Sequence, residues 1–316
     1  MKKWIACFCA ALLLLVFGCG KDTVKNETAK GGAKLSLSVG LMPDMDSVPF
    51  IIAREKGFFA EEGVDVTLHS FKSAMDRDAA MQSGQLDGAV SDLLAAAFAK
   101  AGGFDVRVTS ATDGCYTLIV GKGENISDVP ALSGAEVAVS RNTIIEYVTD
   151  RILKEHGMAA DAIRKISVPQ IPARLEMLQN GKLAAATLPE PMASVAMAGG
   201  CRKLTDSNAL GVNPGVMLFS AKAVTEKREA VQAMYRAYNK AIKYLTSNPR
   251  ETYINLVVEK SGFPPAAKEA LNLPAYRNAT LPQEKDVSEV MRWLKEKSLV
   301  PEAYAYQTLV TGDVLP

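Results

Sequence analysis

The sequence predicts an α/β protein with largely parallel sheets, built as two similar halves. Three observations lead there. From Leu35 onward, short apolar runs alternate with stretches of helical period, the pattern of strands joined by crossover helices. Gly57, Gly63, Gly84, Gly157 and Gly181 stand where those helices should stop. The segment Met81–Ala89 (MQSGQLDGA) is echoed by Leu178–Ala186 (LQNGKLAAA), each reading as a helix end, a glycine turn and a short buried strand. The two copies lie too far apart for a solenoid period and suggest a repeated half.

Apolar runs place strands at Leu35–Leu41, Val64–Phe71, Gly88–Ser91, Val106–Ala111, Thr117–Val120, Glu136–Ser140, Ile166–Val168, Ala184–Leu188 and Gly215–Ser220. Helical periods fall near 49–56, where Pro49 suits a first turn, and near 75–83, 92–101, 143–156, 173–180, 191–198 and 223–247. In the last of these, Val231, Met234, Tyr235, Tyr238, Ile242 and Leu245 form one apolar stripe, which Asn248-Pro249 closes. Helices follow near 250–260, 265–271 and 285–297, the last with Val287, Val290, Met291 and Leu294 on one face. These stripes read as core-facing, so the helical tail packs on the first half.

Composition narrows the function. A chain of 316 residues, 48% hydrophobic and 22% charged, can bury a sizeable core and is not a disordered chain. The net charge of +1 gives no field that would draw nucleic acid. Two histidines, His69 and His156, and five cysteines without a CxxC leave little for a metal cage, so no metal or cofactor is expected. There is no G-x-S-x-G elbow, Walker A segment or H-E-x-x-H.

The N-terminus reads MKKWIACFCAALLLLVFGC. Two lysines precede an apolar run too short for a comfortable membrane span, which fits a signal peptide over residues 1–18. Val16-Phe17-Gly18-Cys19 resembles a bacterial lipobox, which implies lipid on Cys19. Residues 19–33, polar and aperiodic, read as a flexible tether. Cys115 and Cys201 remain in the body, either as a disulfide or as two free thiols.

The stretch Leu41–Val66, LMPDMDSVPFIIAREKGFFAEEGVDV, is the most specific. Pro49, Ala53, Gly57, Phe58, Phe59, Gly63, Val64 and Val66 match P-x-x-x-A-x-x-x-G-[FY]-F-x-x-x-G-[VIL]-x-V. Gly84-Gln85-Leu86-Asp87, Leu132–Val139 (LSGAEVAV) and Leu188-Pro189-Glu190-Pro191 follow the same family's pattern. The chain resembles the extracytoplasmic solute-binding proteins of ABC importers, in the group for aliphatic sulfonates, nitrate and taurine and the relatives like thiamine-pyrimidine-synthesis proteins. The resemblance implies a two-lobed type II periplasmic-binding-protein fold, with 34–112 and 213–316 in lobe 1 and 113–212 in lobe 2. The chain would cross between lobes near Asp113-Gly114 and near Asn213-Pro214-Gly215, both turn signals in their own right. It also implies an exported, lipid-anchored monomer serving a permease and its ATPase, and no catalysis. The pyrimidine synthases of this fold use a cysteine-rich motif that is absent here. A sensor for a membrane receptor is the other non-enzymatic reading.

In open parallel sheets, ligands sit beyond the carboxyl ends of strands, where helix N-termini offer free N–H groups. That rule selects Asp44, Asp46 and Ser47 after the first strand, Lys72 and Ser73 after the second, and Ser91 and Asp92 at the third. In lobe 2 it selects Arg141, Asn142 and Thr143 after one strand and Glu190 after another; Asp113 joins them from the hinge. Thr143 or Asn142 can cap the following helix and still leave amides for a ligand. The aspartates could equally stabilise turns. Arg141 and Lys72 suit a sulfonate, carboxylate or phosphate; Asp44, Asp46, Asp92 and Glu190 suit amines or pyrimidine donors. The acidic set is the richer, which favours a nitrogen compound such as a thiamine-type pyrimidine precursor over an alkanesulfonate.

Overall fold

The computed structural model describes residues 35–316; the expected signal peptide, the tether and Cys19 lie outside them. Strand β1 (Leu35–Leu41) buries Leu37, Val39 and Leu41. A 3-10 turn at Met45–Ser47 leads to α1 (Val48–Glu55), with Pro49 in its first turn. There follow α2 (Phe58–Glu61), β2 (Val64–Ser70), α3 (Ala74–Gln82), β3 (Gly88–Asp92), α4 (Leu93–Ala101) and β4 (Val106–Ala111). A second set comprises β5 (Tyr116–Val120), β6 (Glu136–Val139), α5 (Ile144–Glu155), β7 (Arg164–Ser167), α6 (Ile171–Gln179), β8 (Ala185–Pro189), α7 (Met192–Ala198) and β9 (Arg202–Asp206). The chain then returns through β10 (Gly215–Ser220), α8 (Ala221–Glu226), α9 (Arg228–Ser247), α10 (Ile254–Lys260), α11 (Ala267–Ala270), α12 (Glu284–Glu296) and α13 (Tyr306–Leu309).

The strands form two five-stranded sheets, ordered β2-β1-β3-β10-β4 and β7-β6-β8-β5-β9. In each, the second, first and third strands of the local series pair in parallel, and one antiparallel strand sits in fourth place. That reversed strand, β10 or β5, is the one by which the chain enters from the other sheet. The sheets are therefore mixed, with four strands of each pointing one way. The sequence echo now has a structural meaning. Its two copies end α3 and α6 and lead into β3 and β8, which hold the same third place. Gly84 and Gly181 make the turns at φ of 77° and 66°, a conformation that a Cβ penalises.

Some elements differ from expectation. The helix expected over 223–247 is two, α8 and α9, broken at Lys227, whose side chain leaves to pair with Asp87 at 2.8 Å. Strand β9 was not foreseen, because Arg202–Asp206 is a largely polar run at a sheet edge. Strand β7 lies two residues earlier than expected at its start and is also an edge.

Helix α9 buries its whole stripe and packs on α1, α2, β1 and β2. Helix α12 packs on α4 and also reaches α5. There Trp293 meets Tyr147 edge-on with ring centroids 5.6 Å apart, and its Nε1 donates to Asp150 Oδ2 at 3.1 Å. Lys297 Nζ donates to Glu146 Oε1 (3.1 Å) and Asp150 Oδ2 (2.9 Å), and Arg151 pairs with Glu289. Cys115 and Cys201 are free thiols. Among the described residues no helix is long and apolar enough to cross a membrane, and no cluster of side chains could hold a metal ion.

Candidate ligand-binding site

Two chain crossings join the sheets, one between β4 and β5 and one between β9 and β10. They run side by side: Thr112 N donates to Gly215 O (3.1 Å), and Asn213 Nδ2 donates to Thr112 O (2.6 Å). Neither crossing has room for a side chain at its glycine. A Cβ on Gly215 would lie 2.5 Å from Thr112 Oγ1, and one on Gly114 would overlap the Asp46 carboxylate.

Beside the crossings lies a cavity of about 450 Å³, its mouth included, walled by strand ends of both sheets. The first sheet contributes Asp44 and Asp46 after β1, Ser91 and Asp92 from β3, and Arg77 from α3. The second contributes Tyr116 from β5, Ser140 and Thr143 between β6 and α5, Arg174 from α6, and Pro189 at the end of β8. The position is the one that open α/β sheets favour for ligands.

The cavity is buried and charged. Asp44, Asp46, Arg77, Asp92 and Arg174 each expose 6% or less of their surface. Burial, and then the neighbouring Asp46, pushes the Asp44 carboxyl well above the usual range. Burial pushes Asp46 up to about 6, against the Thr112 and Tyr116 hydroxyls, which favour its ionised form. Tyr116 Oη donates to Asp46 Oδ2 at 3.1 Å, while neither Asp46 Oδ1 nor Thr112 Oγ1 completes a hydrogen bond of ordinary geometry. Burial also raises Asp92, with Arg77 opposing, and burial works against the Arg77 cation until Asp78, Asp92 and Asp44 carry it above its ordinary value. Arg174 has no such company. Burial alone pulls its guanidinium down to about 10.

Of the residues selected from sequence, Asp44, Asp46, Ser91, Asp92 and Thr143 line this cavity together. Asp92 also caps α4, accepting from Ala95 N at 2.9 Å, and Thr143 caps α5, accepting from Ile145 N at 3.2 Å. The others lie elsewhere. Ser47 is buried behind the loop, accepting from Met42 N (3.0 Å) and donating to Asp44 Oδ1 (3.2 Å). Ser73 caps α3, accepting from Asp76 N. Lys72 is exposed at the surface. Arg141 is exposed and donates to Lys165 O (3.0 Å), and Asn142, at a φ of 56°, donates through its backbone N to Glu146 Oε2 (2.8 Å). Both border a shallower groove at the rim. Asp113 accepts twice from Arg277, and Glu190 accepts from Ser194 N (3.1 Å); they share a separate hollow with Cys115 and Lys203.

Among the polar residues of the cavity, Arg77, Arg174 and Tyr116 do not follow from the strand-end rule. The two arginines had left a trace. Arg174 takes a core position in the stripe Ile171, Arg174, Leu175, Leu178, and Arg77 precedes Ala80 and Met81 at helical spacing. A charge inside an apolar stripe must find a partner within the fold.

Comparison with known proteins agrees with this architecture. The structure superposes on the alkanesulfonate-binding protein SsuA from Xanthomonas axonopodis pv. citri bound to MOPS with a TM-score of 0.74. The two are 18% identical, over 88% of this chain and 98% of that one. For the periplasmic aliphatic sulphonate binding protein SsuA from Escherichia coli the values are 0.70, 20%, 86% and 96%. For the periplasmic nitrate-binding protein NrtA from Synechocystis PCC 6803 they are 0.69, 14%, 89% and 87%. At such identities the likeness is one of fold, the two-lobed type II periplasmic-binding-protein architecture. No curated protein matches the sequence. The family model described as NMT1/THI5 like matches residues 44–252, more than half of the sequence and every cavity-lining segment but Met42; the chain belongs to that family.

Proposed function

We propose that the protein is an extracytoplasmic solute-binding protein that captures a small polar solute between two lobes and presents it to the permease and ATPase of an ABC importer. The lobes are 34–112 with 213–316, and 113–212. The observation that carries this reading is the cavity. It is walled by both sheets beside the two crossings and lined with buried charges that the protein itself leaves only partly paired. A site of this kind gains by closing around a ligand, and closure follows from tighter binding to the closed state. Nothing in it requires chemistry on the solute.

The solved proteins of this fold named above bind sulfonates or nitrate, as their names state. The wall of Asp44, Asp46 and Asp92 argues for a different solute here, a nitrogen compound such as a thiamine-type pyrimidine precursor. An alkanesulfonate or other small anion is the alternative, and a pyrimidine-synthase-like enzyme is the alternative of another class. A thermal-shift screen against pyrimidines, sulfonates, amino acids and vitamins tests the role. A true ligand at 100 times its Kd adds about 2.7 kcal/mol of stability. Consumption of a ligand by the purified protein would overturn the binding role. The anchor is tested separately: Cys19→Ser should abolish labelling by a palmitate analogue and release the protein from the membrane fraction, and labelling that persists would refute it.

A further inference from the structure

We infer that the cavity selects a ligand bearing both a protonated nitrogen group and an oxyanion, the nitrogen held against Asp44 and Asp46 and the oxyanion by Arg174. This rests on the solute-binding reading and narrows it to a class of solute.

The argument begins with Arg174, whose side chain is fully buried. Its Nε donates to Thr187 O (2.9 Å) and its Nη1 to Val168 O (2.7 Å), so the ends of β8 and of the β7 segment grip one edge of the guanidinium. Nη2 is buried with no hydrogen-bond partner, and the residue lines the cavity. Among the described residues no carboxylate forms an ion pair with it. A buried guanidinium without a counter-charge is costly, and proteins retain such groups when something else completes them. If the residue served only to tie the two strand ends together, two N–H groups would suffice, and an apolar side chain would avoid burying the charge. An oxyanion in the cavity would meet the free Nη2.

The opposite wall has the complementary deficit. Arg77 is occupied by Asp78, at 2.8 Å, and by Asp92, at 3.7 Å. Asp44 and Asp46 are then left with hydroxyl partners, Ser47 and Tyr116, and with no ion pair among the described residues. Ser91 Oγ, on the same wall, is also buried and unpartnered. A protonated amine or ring nitrogen would neutralise this side. The two deficits belong to different sheets, so a dipolar ligand bridges the lobes. A simple anion would satisfy Arg174 but add to the charge beside Asp44 and Asp46, and a simple amine would leave Arg174 bare.

The test is a matched panel assayed by thermal shift and calorimetry on the purified full chain. The panel holds ω-amino acids and ω-aminosulfonates of two to five carbons, the same acids without the amine, the same amines without the acid, and aminopyrimidines with and without a carboxylate. The strongest stabilisation is expected from members carrying both groups, with weaker but measurable stabilisation by the amine-only members. Arg174→Met should weaken the best of these by ~10–100-fold yet leave its amine-only counterpart unaffected, so that the preference between them collapses. Arg174→Lys, which keeps the charge, should retain part of the preference and serves if the methionine variant does not fold. Equal weakening of both ligands would make Arg174 structural and overturn the inference. Binding of anions alone, or of neutral pyrimidines alone, would overturn it while leaving the solute-binding role intact. No stabilisation by any class would overturn both.

Discussion

At the scale of single residues, the cavity makes a statement about pH. Asp46 has a folded-state value of about 6, against 3.8 for an ordinary aspartate, because burial penalises its charge. The unfolded chain therefore releases this proton more readily than the folded one between about pH 4 and 6, and the charged form lowers folded-state stability above that window. Asp44, Asp92 and Glu190 are raised by burial in the same sense. Without ligand, the protein should become more stable as pH falls from 7 to 5. Asp46→Asn should flatten that dependence and raise stability at pH 7 by on the order of 1–2 kcal/mol. Urea unfolding at pH 5, 6, 7 and 8 reads both effects. Stability that stays level or rises from pH 5 to pH 8 would contradict them. Glu62 and Asp105 are held below the usual range by basic partners, so their opposite contribution is felt only in stronger acid.

Gly114 belongs to the same scale. A methyl group there would drive into the Asp46 carboxylate, with the Tyr116 hydroxyl behind it. Gly114→Ala should cost about 1–3 kcal/mol and weaken ligand binding together with it. The control is alanine at Gly123, where φ is 85° but nothing lies within 4 Å, so that strain is tested without the clash. Equal loss of binding in both variants would assign the effect to general destabilisation rather than to the clash.

Among the elements, α5 carries the most consequence. Its first turn borders the cavity through Thr143, Ile144 and Ile145. In the same turn, Glu146 accepts from Asn142 N, Lys165 and Lys297. Lys297 just beyond α12 and Lys165 on β7 thus share two carboxylates, Glu146 and Asp150. Lys297→Met should destabilise by about 1 kcal/mol, since the lysine is partly exposed, and should speed amide exchange in 144–155. Exchange that rises instead throughout β1–β3 would show a general loosening rather than a local one.

The elements also show what could be read in advance. Strands with a buried apolar face were legible: β1, β4 and β10 lie within the bounds their residues implied. The edge strand β9 was not, since four of its five residues are at least partly exposed and its polar run resembles a loop. The acidic half of the cavity was legible from topology, because Asp44, Asp46, Ser91 and Asp92 follow strands directly. Its basic half was not. Arg77 and Arg174 lie inside helices, and which way those helices turn is decided by their packing on β1, β3 and β8, which one sequence does not spell out. Lys72 and Arg141 were drawn in by the same strand-end rule, but their long side chains reach water more cheaply than a cavity.

For the molecule as a whole, the two sheets share one strand order, and each is completed by a strand entering from the other side. The second sheet comes from one contiguous stretch, β5 to β9, but the first does not: β10, which separates β3 from β4, arrives only after the entire second sheet has been made. The β3–β10–β4 pairing joins residues more than a hundred positions apart, so the first sheet should be completed late in folding. Pulsed hydrogen exchange should show amides of β4 and β10 protected after those of β6–β8. Simultaneous protection would argue that both sheets form in one step.

The paired crossings have a mechanical consequence. Two straps laced edge to edge by Thr112, Asn213 and Gly215 can flex about a common line but resist torsion. Such a joint opens like the spine of a book, so its two pages return to the same alignment each time, and groups set opposite one another across the gutter meet again without a search.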